Sequence, residues 1–309
     1  MSLVLGADGG NSKTELVVAT TDGEVLAWVG GPGSNSHGVG AEGTADVLDA
    51  LVREASPPVR PKYGVFFLCG ADVADDIVEL TAAVERRGWV RQAVVDNDTF
   101  ALLRAGSDGA DAVAVVCGAG INCVGKAADG RVARYPSLGW ETGDWGGSEM
   151  LGRAVLFHAA RAEDGRGEPT ELVDLVRTHF DSETVAEIGE AIHYRRMRDM
   201  RLGELAPAVV ELAATGDAVA RRLAERLAGE IALLAGKALR DLGLVDADVV
   251  LGGGMLRGGL LVDLVAARLP DGARPVVYAG SPIAGAVLAA LDLAGASAEA
   301  KARIREALG

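Results

Sequence analysis

The apolar run Leu3-Val4-Leu5-Gly6-Ala7 has no polar interruption, which predicts a strand. It delivers Asp8 into Gly9-Gly10-Asn11-Ser12-Lys13-Thr14, a turn of small and polar residues. A second strand is expected over 15–20, and Asp22-Gly23 turns the chain into a third over 25–29. Helical spacing follows over 41–55, a buried strand over 63–69, a helix over 74–87 and a strand over 92–95. A short helix begins after Asn97-Asp98. Strands alternating with helices in this way predict a mixed sheet covered on both faces, an α/β domain.

Near Ala112 the pattern restarts. An apolar strand over 112–117 meets Gly118-Ala119-Gly120, a second strand runs over 122–127, and Asp129-Gly130 turns the chain into 132–135. Strand, glycine turn and hairpin therefore occur twice, the mark of a duplicated domain. The remainder is mostly helical: one helix over 148–163, a break at 164–169 with Thr170 placed to cap the next helix, and a long half-buried helix over 218–242. A buried strand over 248–251 runs into Gly252-Gly253-Gly254. A last strand over 275–278 precedes a small-residue helix over 282–293 and an amphipathic tail over 298–308. The expected division is an N-terminal domain, 1–111, joined by the tail 296–309, and a C-terminal domain, 112–295, with a helical insert.

Composition narrows the choice of partner. With 309 residues, 49% of them hydrophobic, the chain can build two domains with real cores. Thirty basic against 44 acidic residues leave a net charge of −14 and a pI near 4.8. Such a surface repels nucleic acid and anionic membranes, so neither is an expected partner. A phosphate ligand stays open, because phosphate sites are built locally from backbone amides and a metal. The first residues lack the basic stretch and small-residue cleavage site of a signal peptide, and no apolar stretch has the length of a membrane span. Cys69, Cys117 and Cys123 form no Cys-x-x-Cys and are odd in number, which predicts reduced core thiols and a cytoplasmic location. His37, His158, His179 and His193 show no zinc-ligand spacing.

The polar loops carry the chemistry. The first is not a P-loop, since Ser12 stands where a glycine is required before the lysine and a hairpin follows in place of a helix. Its glycines let backbone amides approach phosphate oxygens, Lys13 adds a point charge, and Asp8 can hold magnesium directly or through water. Gly118-Ala119-Gly120-Ile121-Asn122 ends a fully apolar strand, where α/β folds place ligands; a tight hairpin turn would look the same. Asp96-Asn97-Asp98 ends another strand just before a helix. One of the three is expected to cap that helix, and a carboxylate there can also accept a proton from a hydroxyl poised to attack phosphorus. The segment Gly139-Trp140-Glu141-Thr142-Gly143-Asp144-Trp145-Gly146-Gly147 combines two tryptophans, two acids and four glycines, in a chain with 4% aromatic residues. Polyol sites use such mixtures, a ring against the sugar and carboxylates on its hydroxyls. Asn35, Asp72 and the glycine triplet lie in further polar loops that are either turns or ligand contacts.

Taken in order, these loops resemble the phosphate, substrate and nucleotide motifs of the acetate kinase/sugar kinase/actin superfamily, and within it the N-acetylglucosamine kinase branch, also described as BadF/BadG/BcrA/BcrD-type ATPases. The resemblance spans nearly the whole chain. It implies two duplicated ribonuclease H-like (actin-like ATPase) domains with a nucleotide cleft between them, ATP and Mg2+ as cofactors, an amino sugar as substrate, and a homodimer. Gly10, Asn11, Ser12, Lys13 and Thr14 would form the first phosphate loop and Gly118, Ala119, Gly120 and Asn122 the second. Asp8 would bind the metal, and Gly252, Gly253, Gly254 and Met255 would meet the adenosine. Asp98 would be the general base, with Asn35, Asp72, Asn97, Gly139, Trp140 and Asp144 around the sugar. Residues 281–286 look like the closing segment of the family.

Two departures bear on substrate choice. Ile121 stands where many relatives have serine, which removes a side-chain phosphate contact. The Trp140–Asp144 segment is shorter than in N-acetylglucosamine kinases, which brings free glucosamine in as an acceptor beside N-acetylglucosamine. The activity implied is phosphorylation of an amino sugar at its terminal 6-hydroxyl. Two other readings stand beside it: an ATPase activator of a CoA dehydratase or reductase, which would need cluster-binding thiolates, and a non-catalytic sugar sensor on the same scaffold.

Overall fold

The computed structural model describes residues 2–309. The first sheet contains β1 (Leu3–Gly9), β2 (Lys13–Thr20), β3 (Val25–Pro32), β4 (Tyr63–Leu68) and β5 (Gln92–Asn97). Its order is β3-β2-β1-β4-β5. The hairpin strands β2 and β3 pair antiparallel, while β1, β4 and β5 run parallel. The helices of this region are α1 (Ser36–Ala55), α2 (Ala74–Arg87) and α3 (Thr99–Gly106).

The second sheet contains β6 (Ala112–Cys117), β7 (Ile121–Lys126), β8 (Val132–Arg134), β9 (Ala247–Gly252) and β10 (Ala273–Val277), in the order β10-β9-β6-β7-β8. Between β8 and β9 lie α4 (Gly147–Glu163), α5 (Leu172–Phe180), α6 (Val185–His193), α7 (Ala206–Thr215) and α8 (Ala218–Leu242). Helix α9 (Leu260–Ala266) precedes β10, and α10 (Ile283–Leu293) and α11 (Ala298–Leu308) close the chain.

The chain forms two compact units. One holds residues 1–114, 124–136 and 278–309; the other holds 115–123 and 137–277. Residues 278–295, expected with the C-terminal half, thus cluster with the first unit. The packing explains this. In β1, alternate side chains point to opposite faces. Leu3, Leu5 and Ala7 join Leu48 of α1 and Leu80 of α2, whereas Val4 joins Val65, Ala101 and the buried face of α10. Small residues let α10 come close: a Cβ on Gly6 would lie 2.6 Å from the Val287 amide nitrogen, and one on Gly285 would lie 1.9 Å from the Ala101 carbonyl. A helix this closely seated belongs to the sheet it covers. Each buried Leu, Ile or Val contributes about 1.5–3 kcal/mol. Phe66, fully buried in the α1/α2 layer, is the largest of these side chains, and Phe66→Ala would cost about 3–5 kcal/mol.

The second unit rests on α8. Its start is capped by the Asp217 side chain, which accepts from the Ala220 amide at 2.7 Å, and Gly243 ends it in the left-handed conformation. Residues Ala220, Leu223, Ala224, Leu227, Ala228 and Ile231 recur at three- and four-residue steps and are buried. Helix α1 begins five residues earlier than its apolar spacing suggests, at Ser36, with a break at Gly40 (φ 73°, ψ 167°) that separates the early turn from the packed part. Among the described residues no helix is long and apolar enough to cross a membrane.

Candidate functional site

In the first unit the register places Gly9 of β1, Leu68 of β4 and Asn97 of β5 side by side. The loops that leave these strands therefore share one sheet edge, the carboxyl ends of three parallel strands, where open α/β sheets bind ligands. Asp8, Asn35, Asp72, Asn97 and Asp98 all belong to this edge or to loops bonded to it. Asn35 donates to Asn11 Oδ1 at 2.8 Å and accepts from the His37 amide at 2.9 Å, which ties the loop after β1 to the start of α1. Beneath them, buried Thr14 donates to Ser34 Oγ at 2.8 Å.

Asn97 fixes the next pair of groups. Its Nδ2 donates to Asp72 Oδ1 at 2.8 Å, and its Oδ1 accepts from the Thr99 amide at 2.9 Å. Asp98 holds the N-cap position of α3, yet its side chain makes no capping bond. Asn97 performs that task, so the expected cap and the candidate base are different residues. Burial, reinforced by the charge of Asp72, raises the Asp98 carboxyl to about 7 against the pull of nearby backbone amides. Burial also raises Asp72 to about 6; His37, 3.7 Å from it, opposes the shift and Asp76 adds to it. Asp8 is pushed up to about 8 by burial, then by Asp98 and Glu15, with Lys13 opposing. Three acids at one strand edge thus hold protons unusually tightly, the environment in which proton-transfer groups occur.

Lys13 is exposed and rests on Glu15 at 2.5 Å, a contact that follows from their i, i+2 positions on one face of β2. Glu15 also accepts from Ser281 Oγ at 2.8 Å and Trp28 Nε1 at 3.2 Å. Burial pushes Glu15 up, but these three donors outweigh it and hold the carboxyl below its usual range. Glu15 and His37 were not among the expected site residues. An acid two positions beyond the loop lysine was a readable signal for the first; the approach of His37 to Asp72 and Asp76 was not readable, because it depends on how α1 meets the loop after β4.

In the second unit, the turn Gly118–Gly120 abuts the start of α4. The Ser148 and Glu149 amides donate to the Gly118 and Ala119 carbonyls at 2.8 and 3.1 Å. Gly147 makes this possible: its φ is +77°, and a Cβ there would lie 2.2 Å from the Ala119 carbonyl. The triplet after β9 folds against the same strand end, with Met255 donating to the Cys117 carbonyl at 3.1 Å. Apart from the glycine itself and its two chain neighbours, no atom of the described residues stands within 4 Å of a Cβ built on Gly118, Gly120 or Gly254, so the backbone there is open to a ligand. Gly139, Trp140 and Asp144 share a separate loop. Trp140 is 75% exposed, while Asp144 accepts from the Thr142 hydroxyl and its amide donates to the Gly139 carbonyl. Trp145 is buried beneath the Arg226 guanidinium, 3.9 Å from its ring centre. Of the two tryptophans, then, one is packing and one is displayed.

The profile of the BadF/BadG/BcrA/BcrD ATPase family matches residues 5–290, nearly the whole chain. The chain belongs to this family. Among curated relatives, the N-acetylmuramic acid/N-acetylglucosamine kinase of Clostridium acetobutylicum is 26% identical over 256 residues, covering 81% of this chain and 84% of the relative. The N-acetyl-D-glucosamine kinase of Dictyostelium discoideum is 25% identical over 297 residues, covering 87% and 90%. A Chromobacterium violaceum protein provisionally assigned as an N-acetylglucosamine kinase superposes with a TM-score of 0.71 at 22% identity, over 93% of this chain and 98% of that one. A ROK family glucokinase from Streptomyces griseus, solved with glucose and AMPPNP, gives 0.59 at 21% identity over 94% and 99%. The two-domain α/β architecture is that of the actin-like sugar kinases.

For this BadF-type ATPase the donor set can be tested against magnesium. Among the described residues no group of three or more His, Cys, Asp or Glu side chains could hold a metal by itself. Magnesium bound with a nucleotide does not need one, since it keeps waters and phosphate oxygens and takes one or two carboxylates. Asp8 fits that role: a carboxyl raised by burial and by neighbouring acids is the group a divalent cation would return to its ionised form. Cys117 and Cys123 are buried, and burial raises both thiols, Cys117 to about 12; Cys69 is half-buried and is raised as well.

Proposed function

We propose that this ATP-dependent sugar kinase transfers the γ-phosphoryl group of ATP to the 6-hydroxyl of an amino sugar, N-acetylglucosamine or glucosamine. The observation that carries the reading is Asp98, a carboxyl raised to about 7 at the end of β5, beside an Asp72–Asn97 pair suited to sugar hydroxyls. A base with this value is half ionised at neutral pH, the balance that favours general-base catalysis.

In the proposed step Asp98 takes the hydroxyl proton as the sugar oxygen forms its bond to phosphorus and the bond to the ADP oxygen breaks. Asp72, Asn97 and Asn35 hold the sugar, with Gly139, Trp140 and Asp144 as further contacts. Lys13 leaves Glu15 for the phosphates and neutralises charge as it moves from donor to leaving group. The open backbone at Gly118, Gly120 and Gly254 accepts the nucleotide, with Gly253 seated against Cys117 beneath it. When bound at Asp8, Mg2+ supplies charge neutralisation to the triphosphate. The redox-activator reading has less support, because the thiols it would need are buried and protonated.

The test is a coupled ADP-release assay with Mg-ATP against glucosamine, N-acetylglucosamine, N-acetylmannosamine, glucose and no sugar. Release that depends on one amino sugar and disappears in Asp98→Asn is expected. Sugar-independent hydrolysis, or none with any acceptor, would overturn the reading.

A further inference from the structure

The first unit contains a cavity of about 550 Å³ that none of the kinase residues line. Its volume falls in the range of small-molecule sites, roughly 300–1,000 Å³. Apolar side chains from β4, α3 and α10 build its wall. Phe67 and Phe100 are stacked there, with ring centres 6.3 Å apart and planes 29° from parallel. Val94 on the edge strand β5 and Leu293 at the end of α10 also line it, although they are 41% and 46% exposed. Water-facing apolar surface around a concavity of this size is what an apolar ligand body covers.

The charged groups are arranged unevenly. Arg104 donates through Nε to Asp292 at 2.7 Å and through Nη1 to Asp108 at 2.8 Å. Lys301 lies 2.7 Å from Asp292, and Arg305 reaches Asp108 at 2.7 Å. Both lining carboxylates are therefore matched by cations on the helices around them. Lys126, at the end of β7, also lines the cavity, and its ammonium group has no ion-pair or hydrogen-bond partner among the described residues. One cation is left over beside an aromatic wall.

We propose that this cavity binds a small monoanion, a carboxylate carried on an aromatic or branched aliphatic body. The carboxylate would pair with Lys126 and the body would lie against Phe67 and Phe100. A dianion such as a phosphate monoester fits less well, because one uncommitted cation cannot balance it and Asp108 and Asp292 repel the second charge. A cationic body would meet Lys126 unfavourably.

Isothermal titration calorimetry on the full chain, without sugar or nucleotide, tests the site independently of the kinase reading. The probes are 2-naphthoate, 2-naphthylmethanol, 2-naphthyl phosphate and 2-naphthylmethylamine. Saturable one-to-one binding of the naphthoate is expected, with the alcohol weaker by about tenfold or more, the size of a charge-assisted hydrogen bond. Lys126→Met should lower the naphthoate to the level of the alcohol and leave the alcohol unchanged. Val94→Trp, on an exposed edge position, should obstruct both, with folding checked by its melting curve. The proposal is overturned if the naphthoate shows no saturable binding at millimolar concentration, if the amine or the phosphate binds as well as the acid, or if neither substitution changes the affinity.

Discussion

At the scale of single residues, the site turns on carboxyl groups that keep their protons. Asp98 must be ionised to act as a base, so kcat/KM for the sugar should rise with pH through about 7 and level off above it. Asp98→Asn should lower kcat by about 10²–10⁴-fold and abolish that limb while nucleotide affinity persists; a surviving limb would move the base elsewhere. Asp8 carries a second, separable consequence. Its folded value near 8 lies above its unfolded one, so the native state binds the extra proton and its contribution to stability is lost as pH rises between about 4 and 8. Without magnesium, Asp8→Asn should therefore melt above the wild type by a margin that widens from pH 4 to pH 8, at roughly 2–4 °C per kcal/mol. A margin independent of pH would show that Asp8 is not raised. Adding Mg-nucleotide should reverse the ranking, because the asparagine has no charge to give the metal. The displayed Trp140 makes a simpler case. Trp140→Ala should raise the sugar KM with little change in melting temperature, whereas Trp145→Ala should destabilise the fold, since that ring is buried.

At the scale of elements, close backbone approach decides what can change. Gly147→Ala would set a Cβ against the Ala119 carbonyl in a left-handed conformation, at a cost of about 1–3 kcal/mol from the backbone conformation before the clash is counted. Because the displaced segment is the 118–120 turn, the KM for ATP should rise about tenfold or more in the folded fraction, while the sugar KM moves less. Equal effects on both substrates would argue that the turn serves something other than the nucleotide. Most of this level was legible in the sequence. The apolar runs located every strand, and α2, α8 and α11 have the limits their spacing implies. The edges that shifted lie where polar residues continue an element: β5 runs on through Asp96 and Asn97, which hydrophobicity alone would leave outside, because both still pair with Phe67 and Leu68 of the parallel strand β4. The assignment of α10 to the first sheet was not legible, since it depends on Gly6 and Gly285 admitting a helix that lies far away in sequence.

For the whole molecule, the charge balance and the paired glycine turns set the expectations. With a net charge of −14, the protein should pass through a heparin column at physiological salt, and retention there would reopen a nucleic-acid role. Mg-AMPPNP should raise the thermal stability, by about 2.7 kcal/mol at a hundred times its dissociation constant. Absence of any shift at millimolar nucleotide would argue against an ATP site. The duplicated strand–turn–hairpin pattern revealed the architecture because it is a covalent fact of the chain. The identity of the sugar was not legible, because a few loop contacts set it and glucosamine and N-acetylglucosamine differ by one small group.

The break in α1 has a consequence for how such a protein can diversify. The helix is anchored in the core by Thr44, Ala45, Leu48 and Leu51, all beyond Gly40, while Asn35 and His37 stand before it. Replacements within residues 36–39 are thus insulated from the hydrophobic layer by a backbone joint. Lineages can try new side chains in that segment while the packed layer beneath them is inherited intact.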